Sequence, residues 1–94
     1  MPTIVHRFNA MIKDIGVKEV EGKFTKLKGY AQLKLYAHKI GKTWYIREFY
    51  SGRQLGSSNT EINAKKDSKT YLEQYSLSDI IVQINSIERI NNDK

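Results

Sequence analysis

The sequence predicts an α+β domain with an N-terminal helix, an antiparallel sheet built on a β-hairpin at about 30–50, and a C-terminal helix. Three observations predict this order: helical spacing of apolar residues near the N-terminus, strict alternation beside a glycine turn, and helical spacing of isoleucines near the C-terminus. Both helices are expected to pack on one face of the sheet. The 94 residues are expected to form a single domain over 1–94.

The first element is predicted as a helix over residues 3–15. Thr3 is placed to cap its start, and Gly16 lies where a left-handed residue ends many helices. Its apolar residues share one helical stripe: Ile4, Val5, Phe8, Met11, Ile12 and Ile15. The charged segment that follows, 17–29, carries either a short strand around 23–27 or a long connection.

The centre of the chain is predicted as a hairpin. Residues 30–38 alternate apolar and polar side chains, Gly41 and Lys42 suit a two-residue turn, and 43–50 is rich in aromatic and β-branched residues. The turn fixes the facing pairs as Ile40–Thr43, His38–Tyr45, Tyr36–Arg47 and Lys34–Phe49. The face with Leu33, Leu35, Ala37 and Ile46 is then expected to meet the helices.

The last third of the chain gives weaker patterns. Residues 51–60 are predicted as a loop in which QLG, 54–56, is compatible with a brief strand. Residues 62–69 show no periodicity, and 70–77 are compatible with another strand. A C-terminal helix is predicted to begin after Ser78 as its N-cap, because isoleucines recur behind it at helical spacing: Ile80, Ile81, Ile84 and Ile87.

The net charge of +6 is concentrated in one part of the chain. Segment 22–55 holds eight basic residues against Glu48 alone, a net of +7, together with seven of the ten aromatic residues. A local excess of this kind is the electrostatic signature expected for a polyanionic partner.

The hairpin face opposite the helices combines rings with cations, and it is the predicted binding surface. Its members are Lys34, Tyr36, His38, Tyr45, Arg47 and Phe49, and Lys26, Lys28 and Arg53 are expected to extend it. Bases stack on flat rings while cations neutralise phosphates, so the sequence predicts a small non-enzymatic nucleic-acid-binding protein, with single-stranded DNA or RNA favoured. Under this hypothesis the substitution Arg47→Ala weakens binding and leaves the fold intact.

Alternative interpretations of the same face stay open. The rings stabilise a sheet without any ligand, and a third strand or a loop is able to cover them as a second core. Glu48 is unexpected on the helix-facing side opposite Leu35, which places it at the sheet margin or indicates a shifted register.

Two other functions remain possible at this stage. A small Lys-, Ile- and Asn-rich protein is typical of phage- or plasmid-type modules that bind or inhibit a host protein, here through an acidic host surface. Homodimerisation through the aromatic sheet face is the third hypothesis.

Several function classes are not expected. The chain has no cysteine, its two histidines lie 32 residues apart, and no nucleophile–base set is evident, so we expect no metal, no cofactor and no catalytic residues. No apolar run reaches membrane-spanning length, and the N-terminal residues lack the layout of a signal peptide. A cytoplasmic location is therefore expected.

Overall fold

The computed structural model describes residues 6–12 and 14–92, which form five strands followed by two helices. The elements are β1 His6–Ile12, β2 Gly16–Thr25, β3 Leu35–Ile40, β4 Thr43–Glu48, β5 Gln54–Ser58, α1 Glu61–Leu72 and α2 Leu77–Ser86. Each strand pairs antiparallel with the next one along the chain, so the sheet order is β1-β2-β3-β4-β5. The fold is α+β, but the predicted helix–sheet–helix order is wrong, because both helices follow the sheet.

The predicted N-terminal helix is a strand in the described residues, and its predicted start at residues 3–5 lies outside them. Phe8 and Ala10 are buried, whereas Arg7 and Met11 are exposed, so the segment also satisfies a period of two. Gly16 does adopt positive φ, at 95°, as a helix C-cap would. Here the same conformation serves the turn between β1 and β2.

The central hairpin has the predicted register. Ile40 faces Thr43, His38 faces Tyr45, and Tyr36 faces Arg47, while Gly41 has the positive φ that the turn requires. The first strand of the hairpin, β3, is shorter than the predicted 30–38, because residues 28–33 form turns and the strand begins only at Leu35.

The sheet curls on itself until β1 reaches the loop after β4. The Met11 N–H donates to the Gly52 carbonyl over 2.9 Å, and the Phe8 ring stacks on Tyr36 with centroids 4.2 Å apart. Gly52 has φ 67°, and a Cβ there would lie 3.0 Å from Met11 N, so only glycine suits this closure. The result is a partly closed barrel with an apolar interior of Phe8, Ala10, Val20, Tyr36 and Phe49.

The C-terminal segment after α2 holds the closure in place. The Asn91 side chain accepts a hydrogen bond from Asn9 N at 2.8 Å and donates to Asn9 O at 2.7 Å. It also donates to Phe49 O at 2.8 Å, so one amide joins β1 to the end of β4. Because all three bonds are at least partly buried, this contact fixes the position of β1.

Both helices cover the outer face of the barrel. The first outer cluster includes Leu33, Leu35, Leu72 and Ile80, and the second is formed by Ala37, Ile46 and Ala64. α1 lies so close to β5 that a Cβ at Gly56 would be 2.5 Å from Ser68 N. Among the described residues, neither helix has the length and apolar character needed to cross a membrane.

The buried positions of α1 explain why its sequence shows no apolar periodicity. Its buried positions are Ala64, Ser68 and Leu72, only one of which is a large apolar residue. The predicted strand over 70–77 is wrong, because it spans the end of α1 and the start of α2. α2 is capped by Ser76 rather than Ser78, since Ser76 Oγ accepts the Asp79 N–H at 3.2 Å.

Candidate functional site

Most of the predicted binding face lies inside the barrel. Tyr36, His38, Arg47 and Phe49 expose only 0%, 1%, 3% and 7% of their surface, and Tyr45 is half-buried. The expected exposure of this face is therefore wrong, because β1 covers it with the Phe8 ring. Because these side chains are buried within one chain, they do not provide a surface for homodimerisation.

Arg47 is a structural residue of the barrel interior. Its Nε donates to His38 Nε2 at 2.7 Å, and its Nη1 donates to the carbonyls of Met11 at 2.9 Å and Gly52 at 3.0 Å. The guanidinium thus connects β3, β4 and the closing edge of β1. Burial lowers the pKa of Arg47 from its ordinary value. The three acceptors favour the charged guanidinium, because each receives a hydrogen bond from it.

Two neighbouring rings complete this interior cluster. The Tyr36 hydroxyl donates to Asn9 O at 2.8 Å, and burial raises the pKa of that hydroxyl above its ordinary value. The Tyr45 ring stacks on His38 with centroids 5.1 Å apart. Both rings therefore serve packing inside the barrel.

His38 is held neutral by its surroundings. Burial and then the positive charge of Arg47 lower the pKa of His38 from 6.5 to about 4. Because Nε2 accepts the Arg47 bond, the proton resides on Nδ1, for which residues 6–12 and 14–92 provide no acceptor.

We expect the protein to lose stability on mild acidification because of His38. The folded pKa of about 4 lies below the ordinary 6.5, so the unfolded chain binds the proton first as pH falls. The free energy of unfolding should fall by about 2 kcal/mol between pH 7 and pH 5, measured by urea unfolding. His38→Gln should remove this loss, whereas the exposed His6→Gln should keep it. An unchanged pH profile in His38→Gln contradicts the assignment.

Glu48 has a structural role that resolves its unexpected position opposite Leu35. The register is not shifted, and the carboxylate is buried on the predicted face. It accepts the backbone N–H groups of Tyr50 at 2.9 Å and Ser51 at 2.8 Å. Glu48 therefore orders the loop that meets β1.

The remaining predicted site residues are cations with different positions. Lys26, Lys28 and Arg53 are exposed, and Lys34 is half-buried. The Lys34 Nζ lies 4.4 Å from the Phe49 ring centroid, so this predicted pair is formed as a cation–π contact. Arg53 lies apart from the others, in a groove beside α2.

The accessible basic surface lies on the outer side of the barrel and begins at Trp44. The Nζ atoms of Lys23 and Lys39 each lie 5.9 Å from its ring centroid, and the half-buried ring borders a shallow depression of about 420 Å³. Lys23 also pairs with Glu61 at 2.7 Å, which connects the strand to the first turn of α1.

The same surface continues along α1. Ile62 follows Glu61, and with Lys65, Lys66, Lys69 and Leu27 it lines a hollow of about 250 Å³. We define the lysine face as Lys23, Lys39, Lys65, Lys66 and Lys69 with Trp44 and Ile62. Lys26 and Lys28 flank Leu27 in sequence, and both are exposed.

Sequence reasoning missed the lysine face because residues 62–69, which include Lys65, Lys66 and Lys69, show no periodicity. On a helix, positions 65, 66 and 69 share one side, which is the signal that could have found it. Asp67, within the same tract, lies toward β5, since its carboxylate accepts the Ser57 N–H at 3.0 Å.

Comparison with known proteins adds no relative. No protein-family model, no curated protein and no solved structure matches the chain. In the described ranges, 6–12 and 14–92, no group of three potential metal-ligating side chains lies together.

Proposed function

We propose that this protein is a non-enzymatic single-stranded nucleic-acid-binding protein, and that it binds through the lysine face. The observation that carries the proposal is the partly exposed Trp44 ring with two ammonium groups 5.9 Å from its centroid, together with the three lysines that line the hollow on α1. We also propose a cytoplasmic location, where such nucleic acid is abundant.

The chemistry of the lysine face suits a phosphate backbone with unpaired bases. Base–aromatic stacking contributes about 1–3 kcal/mol per base, and Trp44 offers one such ring. Each lysine that neutralises a phosphate releases condensed counterions, which favours binding at low salt. Glu61, paired with Lys23, cancels one of the five lysine charges, so the positive charge of the face comes from the other four lysines.

Unpaired bases fit this geometry better than a duplex does. Trp44 is half-buried in a shallow depression, so a base must leave its own stack to reach the ring. In a duplex that step costs a few kcal/mol of unpairing and unstacking. In a single strand the bases are already unpaired, so most of this cost is absent. Single-stranded ligands should therefore bind more tightly than duplexes of the same sequence.

The fluorescence of Trp44 tests this proposal directly, since it is the single tryptophan. We expect saturable quenching on titration with ten-nucleotide single strands of DNA or RNA, and a weaker affinity as salt is raised. The matched duplex should quench less. Absence of any fluorescence change at low salt, together with no gel shift, would rule out the proposal.

A protein-interaction module is the second candidate, and one observation favours it. The two helices and the turn between them expose large apolar side chains outside the lysine face: Tyr71, Tyr75, Ile81 and Val82. Patches of this kind often contact proteins. If nucleic acid does not bind, Val82→Asp is expected to weaken docking of a host-protein partner in a pull-down, and an unchanged pull-down would exclude this surface.

A further inference from the structure

A second concave surface lies at the end of β2, away from Trp44. A cleft of about 640 Å³ opens there, within the size range of ligand-binding sites in proteins. Its lining is mostly apolar and includes Phe24, Thr25, Lys26 and residues 31–35. The cleft is independent of the interior cluster around Arg47, which does not line it.

Phe24 is the distinctive residue of this cleft, because a phenylalanine within a strand leaves 45% of its surface exposed. The ring is supported from behind by the buried Phe8, at 5.0 Å in an edge-on contact, and by Phe49 at 5.8 Å. The exposed His6 ring lies 5.2 Å from it on another side. Phe24 is therefore held in a fixed orientation while its remaining surface faces solvent.

Two cations lie beside this exposed ring. Lys34 Nζ is 5.2 Å from the Phe24 centroid, and Lys26 lines the same cleft. A ligand that uses both features needs a flat apolar body and a nearby negative charge. A nucleotide has both, since its base can cover the ring while its phosphate meets the ammonium groups.

The cleft adjoins the lysine face along the chain. Lys26 lines the cleft, and the next residue, Leu27, lines the hollow between the α1 lysines. We propose that the cleft is a second base-binding subsite, which takes an unpaired nucleotide with its phosphate. This inference rests on the proposed function, because the nucleotide belongs to the strand held on the lysine face.

The test combines affinity with mapping of backbone amide chemical shifts. With a ten-nucleotide thymidine strand, Phe24→Leu should weaken binding about fivefold or more, from the loss of one stacked base. Lys26→Gln, at an exposed position that the fold does not need, should weaken binding about fivefold at low salt. Tyr75→Leu is the matched control, since Tyr75 is 44% exposed outside both surfaces and should bind like the unchanged protein.

The mapping distinguishes a nucleotide of the strand from a free one. Amide shifts at 24–26 and 31–35 with the strand support the subsite. If free thymidine monophosphate causes no such shifts, the cleft takes only a nucleotide of the strand; if it does, the cleft takes a free nucleotide as well. The inference is overturned if the strand binds, neither ligand shifts these amides, and both cleft variants bind like the unchanged protein. In that case the proposed function stands. If the strand does not bind at all, the proposed function and the strand subsite both fail, and shifts with the free nucleotide would then show a separate site for a free nucleotide.

Discussion

Arg47→Ala is expected to lower the free energy of unfolding by about 3–5 kcal/mol. The substitution removes a buried guanidinium and leaves three acceptors without their donor, namely His38 Nε2, Met11 O and Gly52 O. Buried acceptors that lose a charged donor each carry a desolvation cost. Urea unfolding followed by circular dichroism measures the change, and a variant that does not fold at native conditions agrees with it.

Arg53→Ala is the control, because it removes the same side chain from an exposed position next to the same loop. It should change stability by less than about 0.5 kcal/mol. An Arg47→Ala protein as stable as Arg53→Ala would contradict the structural role of the buried guanidinium. It would instead revive the sequence hypothesis that Arg47 contacts phosphate on the surface.

The double substitution Lys66→Gln and Lys69→Gln should weaken single-strand binding at least about tenfold at low salt. Both side chains are exposed on α1, so the loss of two positive charges should leave stability nearly unchanged. With about 0.7 released counterions per phosphate contact, the slope of log affinity against log salt should become shallower by about 1.4. Fluorescence anisotropy of a labelled strand measures both quantities.

A matched variant removes two charges elsewhere. Lys18 lies on β2 near the turn to β1, and Arg89 lies over the Tyr50 ring, 4.4 Å from its centroid. Lys18→Gln with Arg89→Gln lowers the net charge by the same amount, and affinity should change less than about threefold. Equal losses in the two double variants would show that net charge, rather than the lysine face, determines binding.

The hairpin register was predictable because its signals are local. Gly41 provides the positive φ of the turn, and a two-residue turn then determines every facing pair from Ile40–Thr43 to Tyr36–Arg47. The C-terminal helix was predicted for a related reason, since Ile80 and Ile84 mark one side of it. Both signals lie within a short stretch of the chain, so they are recognisable without knowledge of long-range contacts.

The N-terminal strand was not predictable from the same kind of pattern. Phe8 and Ile12 fit a helical stripe, but Phe8, Ala10 and Ile12 fit a strand equally well. Gly16 suits either a helix end or a hairpin turn, because both require positive φ. Pairing with β2 decides the outcome, and that contact is tertiary.

The burial of the predicted binding face follows from that missed strand. The sequence placed Tyr36, His38 and Arg47 on one side correctly. It could not show that β1 lies over this side, with Phe8 stacked on Tyr36 and the Met11 carbonyl accepting a hydrogen bond from Arg47. It also located the excess positive charge in 22–55. It could not show that Lys23 approaches Trp44 and Glu61, since those contacts join separate parts of the chain.

The most direct test of the lysine face is the salt dependence of single-strand affinity, measured in parallel for the unchanged protein and for Lys66→Gln with Lys69→Gln. The account predicts saturable binding of the unchanged protein, a steep loss of affinity with salt, and a shallower slope in the double variant. Equal slopes for the two proteins, or no binding to either at low salt, would contradict it.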